Sequence, residues 1–512
     1  MAVDVLLINP PWLSKDDNIW HGIKAAMPPL GLLTIAAYLE QQGAKVQVID
    51  VHVDKLSIEQ VKERIKEIQP RVVGITVLTA TALPSYKIAE IVKEVSPETT
   101  VVLGGVHVDA LPTEALRNRF VDIVARGDGE ITFGKIFKKF PISDIRGISY
   151  RKDGRIIHNP PAEVIMDLDS IPFPAYHLID MNKYYPSIGA YKSLPAINMM
   201  MTRGCPGKCT FCNSAETTLR TRSAEKVVDE IIRMKKLYGI REVQFYDDTF
   251  TVFKKNVFHF CELLVQKKVG ITWTAFVRAD CISEKMAEAM KKAGCHQVMF
   301  GIESGDEQIR INIRKPINED ITRKAIKVCS KAGLEVRGAF IFGNMGETTV
   351  TMQKTLDFSL SLGLDIAIYN VCTPYPGTQL FNWAKKNGYL RTEDWSEYEM
   401  SGCIMELPTV TNKEVLYFYQ KAHKIFYNRP IIIWKRLLRI RNFNHLRDAV
   451  HAFFYIVLRH KLGTRGEVRQ DWVTLKLKDM MHFDLPEEQK TFMTSESKTV
   501  RLEEQQLVEA NS

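Results

Sequence analysis

The stretch Ile197-Asn198-Met199-Met200-Met201-Thr202-Arg203-Gly204-Cys205-Pro206-Gly207-Lys208-Cys209-Thr210-Phe211-Cys212-Asn213 runs from an apolar strand pattern straight into three cysteines spaced C-x-x-x-C-x-x-C. Three thiolates can hold three irons of a cubane cluster and leave the fourth iron open, whereas four would close it. An open iron is a reaction site. A structural zinc site competes for the same residues, but zinc takes paired C-x-x-C units to complete its tetrahedron. Neither a second pair nor an H-x-x-x-H follows.

Five more strand patterns alternate with helical ones downstream: Glu242 to Tyr246, Ile271 to Val277, Gln297 to Ile302, Val336 to Phe342 and Asp365 to Val371. Six strands with intervening helices predict a partial (β/α)6 barrel, with functional residues at the strand ends. Upstream, Val3 to Ile8, Lys45 to Ile49, Val72 to Val77, Val101 to Leu103 and Val121 to Val124 read as another βα series. Ile58, Val61, Ile65 and Ile68 recur at helical spacing behind a Ser57/Gln60 capping box. Buried apolar strands alternating with helices predict an α/β doubly wound, Rossmann-like parallel sheet, which takes ligands at the carboxyl ends of its strands. The expected division is a sheet domain over 1–140, a Pro-rich linker over 141–192, the barrel over 193–410, a helical region over 411–490 and a frayed polar tail over 491–512.

A chain of 512 residues, 45% apolar and 25% charged, is long enough for two or more ordinary cores. The net charge of +9 is mild for that length and implies no nucleic-acid partner. All nine cysteines lie at or beyond Cys205, an odd and uneven set that suits a reducing cytoplasm rather than a disulfide framework. No export leader is read before Val3, and no stretch reaches the roughly 18 apolar residues of a membrane span.

The cysteine motif, with Phe211 before its last member, resembles the signature of the radical S-adenosylmethionine (SAM) superfamily. The resemblance implies a 4Fe-4S cluster on Cys205, Cys209 and Cys212, with SAM chelating the open iron and cleaved to a deoxyadenosyl radical. Tyr246-Asp247-Asp248-Thr249-Phe250, Arg278 and Gly301-Ile302-Glu303-Ser304-Gly305 stand at the ends of the second, third and fourth strands. The resemblance makes Asp247, Asp248, Arg278, Glu303 and Ser304 the SAM contacts, with Arg278 suited to the SAM carboxylate. Gly343-Asn344-Met345-Gly346-Glu347-Thr348 is similar to the family's Gly-x-Pro-Gly-Glu-Thr, with Met345 in place of proline, and Pro376-Gly377-Thr378 follows the sixth strand. Among the other cysteines, Cys372 and Cys403 stand out; the rest read as packing residues.

In the first domain, Asn9-Pro10-Pro11, Pro28-Pro29-Leu30-Gly31, Gly104-Gly105-Val106-His107 and Arg126-Gly127-Asp128-Gly129-Glu130 resemble the cobalamin-binding domain of the cobalamin-dependent radical SAM class. Asn9, Pro10, Pro11, Thr76, Thr79, Gly104, Gly105, His107, Gly127, Gly129 and Glu130 are the implied cobalamin contacts. Glycines there allow the close backbone approach that a corrin and its tail require. The Asp-x-His-x-x-Gly loop of mutase-type domains is missing after the first strand. Asp50-Val51-His52 follows the second strand instead, with Lys55 in place of glycine, so His52 is expected not to reach cobalt. The tRNA methylthiolating enzymes are similar in the barrel but carry three more cysteines upstream, and this chain has none there.

The resemblance implies a methylase acting on an unactivated carbon, using one SAM for the radical and a second to remethylate cob(I)alamin, with electrons from a flavodoxin or ferredoxin. The anaerobic magnesium-protoporphyrin monomethyl ester oxidative cyclase is similar in both domains and is the alternative enzyme; a non-catalytic cobalamin or redox sensor is the alternative of another class. Arg429-Pro430, Ile431 to Arg441 and Phe453 to Leu458 are basic and apolar. The substrate is expected to be a small molecule or lipid-like; these stretches read as helices over the barrel or, for a lipid-like substrate, as a peripheral membrane contact through 429–460.

Overall fold

The computed structural model describes residues 3–12, 26–187, 189–437, 472 and 475–483. Residues 438–460 of the suggested membrane contact and the tail over 491–512 lie outside them. Among the described residues, no helix is long and apolar enough to cross a membrane.

The first sheet is built from β1 (Val5–Asn9), β2 (Val46–Asp50), β3 (Val72–Thr76), β4 (Thr100–Gly104), β5 (Ile123–Ala125), β6 (Ile148–Lys152) and β7 (Arg155–His158), in the order β2-β1-β3-β4-β5-β6-β7. The first five are parallel, and their alternate side chains feed two cores. Leu6, Ile8, Val73, Ile75 and Leu103 pack under the helices Ile58–Ile68 and Ala82–Val95, while Val5, Leu7, Val72 and Val102 pack under Leu30–Gln41 and Gly129–Phe137. The Ser57/Gln60 capping box forms as the spacing predicts.

The segment read as a linker over 141–192 does more than connect. Its β6 and β7 form an antiparallel hairpin that extends the first sheet. Asp153-Gly154 makes the turn at φ 49° and 75°, the left-handed pair that a two-residue hairpin needs. Beyond it the chain ties both domains together: Ala175 N–H donates to Leu33 O (3.0 Å), Tyr184 OH to Asp50 Oδ2 (3.0 Å) and Tyr176 OH to Asn198 O (3.1 Å).

The second sheet contains six parallel strands: β8 (Ala196–Met199), then, past the short hairpin β9 (Thr202–Arg203) and β10 (Arg220–Thr221), β11 (Glu242–Phe245), β12 (Thr272–Val277), β13 (Cys295–Glu303), β14 (Glu335–Phe342) and β15 (Ile366–Val371). Their order is β15-β14-β13-β12-β11-β8, an unclosed barrel with β8 and β15 at its edges. Outward side chains such as Val243, Phe245, Trp273, Val298 and Phe340 form the largest core with the surrounding helices. At the amino ends of the strands, residues 189–193 cross the opening. Gln297 Nε2 donates to Gly189 O (3.0 Å), Gln244 Nε2 to Ala190 O (2.8 Å), and buried Glu242 accepts from the Lys192 and Ser193 N–H groups (2.8 and 2.9 Å).

The helices Asn412–Tyr427 and Pro430–Leu437 follow the barrel, as the helical pattern from Thr411 predicts. Two other pieces return to the first domain: Trp395 and Tyr398, ahead of these helices, are buried in its core, and Trp472 Nε1 donates to Leu56 O (3.1 Å).

Candidate active site

A cavity of about 610 Å³ lies at the carboxyl ends of β1, β3, β4 and β5, where the strand order reverses between β1 and β3. Of the residues expected there, Asn9, Thr76, Gly104, Gly105, Gly127, Gly129 and Glu130 line it. Gly105 is obligatory: at φ 119° a Cβ would sit 2.7 Å from Val77 O and 2.9 Å from Val77 N. Pro10 and Pro11 follow Asn9 but do not line the cavity. Thr79 and His107 do not line it either, for a physical reason. His107 is buried, with Nδ1 3.3 Å from Thr79 Oγ1, Nε2 3.4 Å from Glu114 Oε1 and its ring edge-on to Trp395. Glu114 also accepts from Tyr86 OH (3.0 Å) and Trp395 Nε1 (3.0 Å), so these groups form a core cluster joining the domain to the chain beyond the barrel. His52 accepts from Trp12 N–H (3.4 Å) and does not line the cavity.

The cavity wall continues into Met199, Met200, Thr202 and Arg203, the strand end that leads into the cysteine loop. There Gly204, at φ 87°, leaves room where a Cβ would meet Thr218 O at 2.2 Å. The loop curls on itself: Cys205 N–H donates to Thr217 Oγ1 (3.0 Å), Thr217 N–H to Cys205 O (3.1 Å), and Gly207 N–H to Cys205 Sγ (3.3 Å). All three thiols are free and half-buried. Burial pushes the Cys209 thiol up and Cys212 up to about 11, so bound cations are needed to hold them as thiolates at neutral pH. Among the described residues, no three Cys, His, Asp or Glu side chains converge on one metal ion.

The five expected SAM contacts divide. Asp248 stands exposed at the rim, hydrogen-bonded to Ser214 of the cysteine loop. Arg278 is half-buried, but its Nε and Nη2 are taken by the Asp280 carboxylate (3.0 and 2.8 Å). Glu303 is buried at φ 69°, with Oε1 3.3 Å from Lys315 Nζ. Asp247 and Ser304 turn away from the rim. Asp247 Oδ1 accepts from Met201 N–H (3.0 Å), Thr202 N–H and Thr202 Oγ1 (2.7 Å), and burial pushes its carboxyl up to about 7. Ser304 Oγ lies 3.0 Å from Thr355 Oγ1 and accepts from Asp306 N–H (3.1 Å). Both hold backbone rather than reach into the barrel.

Met345 does not disorder its loop: Asn312 Nδ2 donates to Met345 O (2.9 Å), and Glu347, pushed up to about 8 by burial, accepts from Asn344 N–H (2.8 Å). Cys372 packs beside Leu380 and Met405, while Cys403 Sγ donates to Asn412 O (3.7 Å). The sequence reading missed two charged residues. Lys315 belongs to no motif; Arg203 lies inside the quoted stretch, with Nη2 donating to Glu130 Oε1 at 2.6 Å across the domain boundary. Arg220 and Asp128 pair beside it.

The B12 binding domain model matches residues 21–137, and the radical SAM superfamily model matches residues 199–359. An uncharacterised methyltransferase of Pyrococcus horikoshii is 34% identical over 450 residues, 86% of this chain and 96% of that protein. The chain belongs to the radical SAM enzymes that carry a B12-binding domain. This radical SAM enzyme is also 30% identical to cytidylyl-2-hydroxyethylphosphonate methyltransferase of Streptomyces wedmorensis, over 78% of this chain and 84% of that one. It is 27% identical to the anaerobic magnesium-protoporphyrin IX monomethyl ester cyclase of Rubrivivax gelatinosus, over 91% and 84%. Its fold matches the cobalamin-dependent SAM radical enzyme OxsB, solved with aqua-cobalamin and SAM bound, at TM-score 0.66 and 17% identity, covering 100% of this chain and 80% of that one. Its cofactors are a 4Fe-4S cluster, SAM and cobalamin.

Proposed function

We propose that the enzyme methylates an unactivated carbon of a small molecule, with Cys205, Cys209 and Cys212 holding the cluster. Asp248 and Glu303 face SAM, while Asn9, Thr76, Gly104, Gly105, Gly127, Gly129 and Glu130 surround the corrin. When bound, cluster and SAM supply a carbon-centred radical, and cobalamin supplies a transferable methyl group. The observation that supports this reading is the cavity of about 610 Å³, whose wall runs from the glycine-lined strand ends of the first sheet to Thr202 and Arg203, just ahead of the cysteine loop. Gly105 and Gly204 let their loops pack closely on the Val77 and Thr218 backbone, Asp247 fixes the start of the cysteine loop, and the residues over 189–193 cross the amino ends of the barrel strands. Exposed Lys208, between Cys205 and Cys209, suits an acidic flavodoxin or ferredoxin as electron donor.

The cyclase relative supports one alternative, a cyclisation that consumes no methyl group. Anaerobic turnover of the reconstituted enzyme on cell extract, with flavodoxin as reductant, separates them. Methylation is expected to yield both 5′-deoxyadenosine and S-adenosylhomocysteine; deoxyadenosine alone would sink the methylase reading in favour of the cyclase. The helix Pro430–Leu437 supports a lipid contact, because Ile431, Ile433 and Trp434 are all exposed on it. Flotation with anionic liposomes at low salt is expected to carry the protein upward, and retention at the bottom of the gradient would refute the contact.

A further inference from the structure

Leu78 and Val106, each 46% exposed, stand at the mouth of the cavity as two apolar side chains clear of the core. The residue after each turns the other way. Thr79 and His107 are buried, with Thr79 Oγ1 3.3 Å from His107 Nδ1, and His107 N–H donates to Val77 O (3.2 Å), so the loops after β3 and β4 are pinned together beneath the mouth. Glu114 Oε1 lies 3.4 Å from His107 Nε2, and Glu114 accepts from Trp395 Nε1 through both oxygens (3.0 and 3.2 Å). The Trp395 ring stands edge-on to His107 at 5.1 Å. An indole from beyond the barrel thus completes a buried chain of contacts that ends one residue from each side chain at the mouth.

The same stretch of chain also holds the cysteine loop. Phe381, its ring 6.4 Å from that of Trp395, is buried in the first domain's core, while its neighbour Leu380 donates its N–H to Thr210 O (2.8 Å), between Cys209 and Phe211. Gly377, at φ 84°, lies against the end of the helix Val106–Ala110, where a Cβ would sit 2.8 Å from Ala110 Cβ.

We propose that Trp395 is a positioning residue for the cobalamin site: through Glu114 and His107 it sets where Leu78 and Val106 stand, and through the helix Gln379–Lys386 it fixes the cavity mouth relative to the cysteine loop. The inference rests on the assignment of the cavity to cobalamin. A tryptophan that only fills the core can be exchanged for another ring at a cost in stability alone. One that aims the loops must also change how tightly the cavity holds its occupant, because loops left to order themselves on binding weaken it.

The test is equilibrium dialysis of hydroxocobalamin against the full, iron-free chain, each variant first shown to be folded by circular dichroism. Trp395→Phe keeps a ring and loses the N–H to Glu114; its Kd should rise about tenfold, the size of one such hydrogen bond. Tyr398→Phe removes a buried hydroxyl bonded to Thr392 O in the same segment, and should lower the melting temperature with Kd unchanged. Glu114→Gln, which exchanges one carboxylate oxygen for an amide, should raise Kd as well, and the double variant with Trp395→Phe should fall short of the product of the two effects, since both act on one contact. An unmoved Kd in folded Trp395→Phe, an equal rise in Tyr398→Phe, or effects that multiply in full overturn the proposal. Should Trp395→Phe not fold, Glu114→Gln against Tyr398→Phe decides: a rise in Kd confined to Glu114→Gln supports the assignment, and no rise overturns it. Wild-type chain that binds no hydroxocobalamin would instead bring down the assignment of the cavity, and this inference with it.

Discussion

Asp247 and Asp248 are neighbours with opposite tasks, and strand alternation explains why. Along β11, Val243 and Phe245 point out to the helices while Gln244 points into the barrel. Continuing that parity sends Asp247 into the packed wall and Asp248 to the rim. The same count along β13 sends Glu303 inward and Ser304 to Thr355. Motif matching named all four residues; parity would have sorted them. Asp247→Ala should strand three buried donors and cost about 3 kcal/mol in the urea midpoint of the apoprotein. Asp247→Asn keeps an acceptor oxygen and should cost less. Because burial raises the Asp247 carboxyl to about 7, the native state binds the proton more tightly than the unfolded chain does. Stability from this group is therefore full below the ordinary carboxylate range and is lost as pH rises through about 7. The melting temperature of Asp247→Asn should gain on wild type between about pH 5 and about pH 8; a constant difference would show that the carboxyl does not titrate there.

At the scale of elements, both strand series were legible because parallel strands covered on both faces must be apolar throughout. Helix starts were legible where a side chain caps them, as at Ser57. The hairpin of β6 and β7 was not, because its strands are short, half polar and embedded among prolines. The Asp153-Gly154 turn was the available signal, and Pro-rich texture concealed it. His107 misled for a related reason. A histidine beside two glycines looks like part of a ligand loop, yet its ring is held by Glu114 of the next helix and by Trp395, which lies far along the chain in a segment with no motif.

Across the whole molecule, the two domains are locked by charge at the place where their sites meet. Arg203, immediately before Gly204, pairs with Glu130 and Asp128 of the first domain, and Arg220 pairs with Asp128. Glu130 is almost wholly buried, so Arg203→Met would leave its charge uncompensated and should cost about 3 kcal/mol. Adding Glu130→Gln should recover most of that loss. A double variant as unstable as the sum of its parts, measured by urea midpoint, would show that the two side chains do not interact. Spacing in the sequence could not disclose this lock, because its halves are separated by 73 residues.

The segment over 189–193 gives the barrel a floor. A tube could thread a long molecule from end to end; a blind well cannot. Whatever reaches the thiols arrives at the rim or through the seam between β8 and β15, and leaves by the same routes. A molecule deeper than the well must therefore keep its remainder outside, so the fold restricts the size of the end that is modified and leaves the rest of the substrate unmeasured.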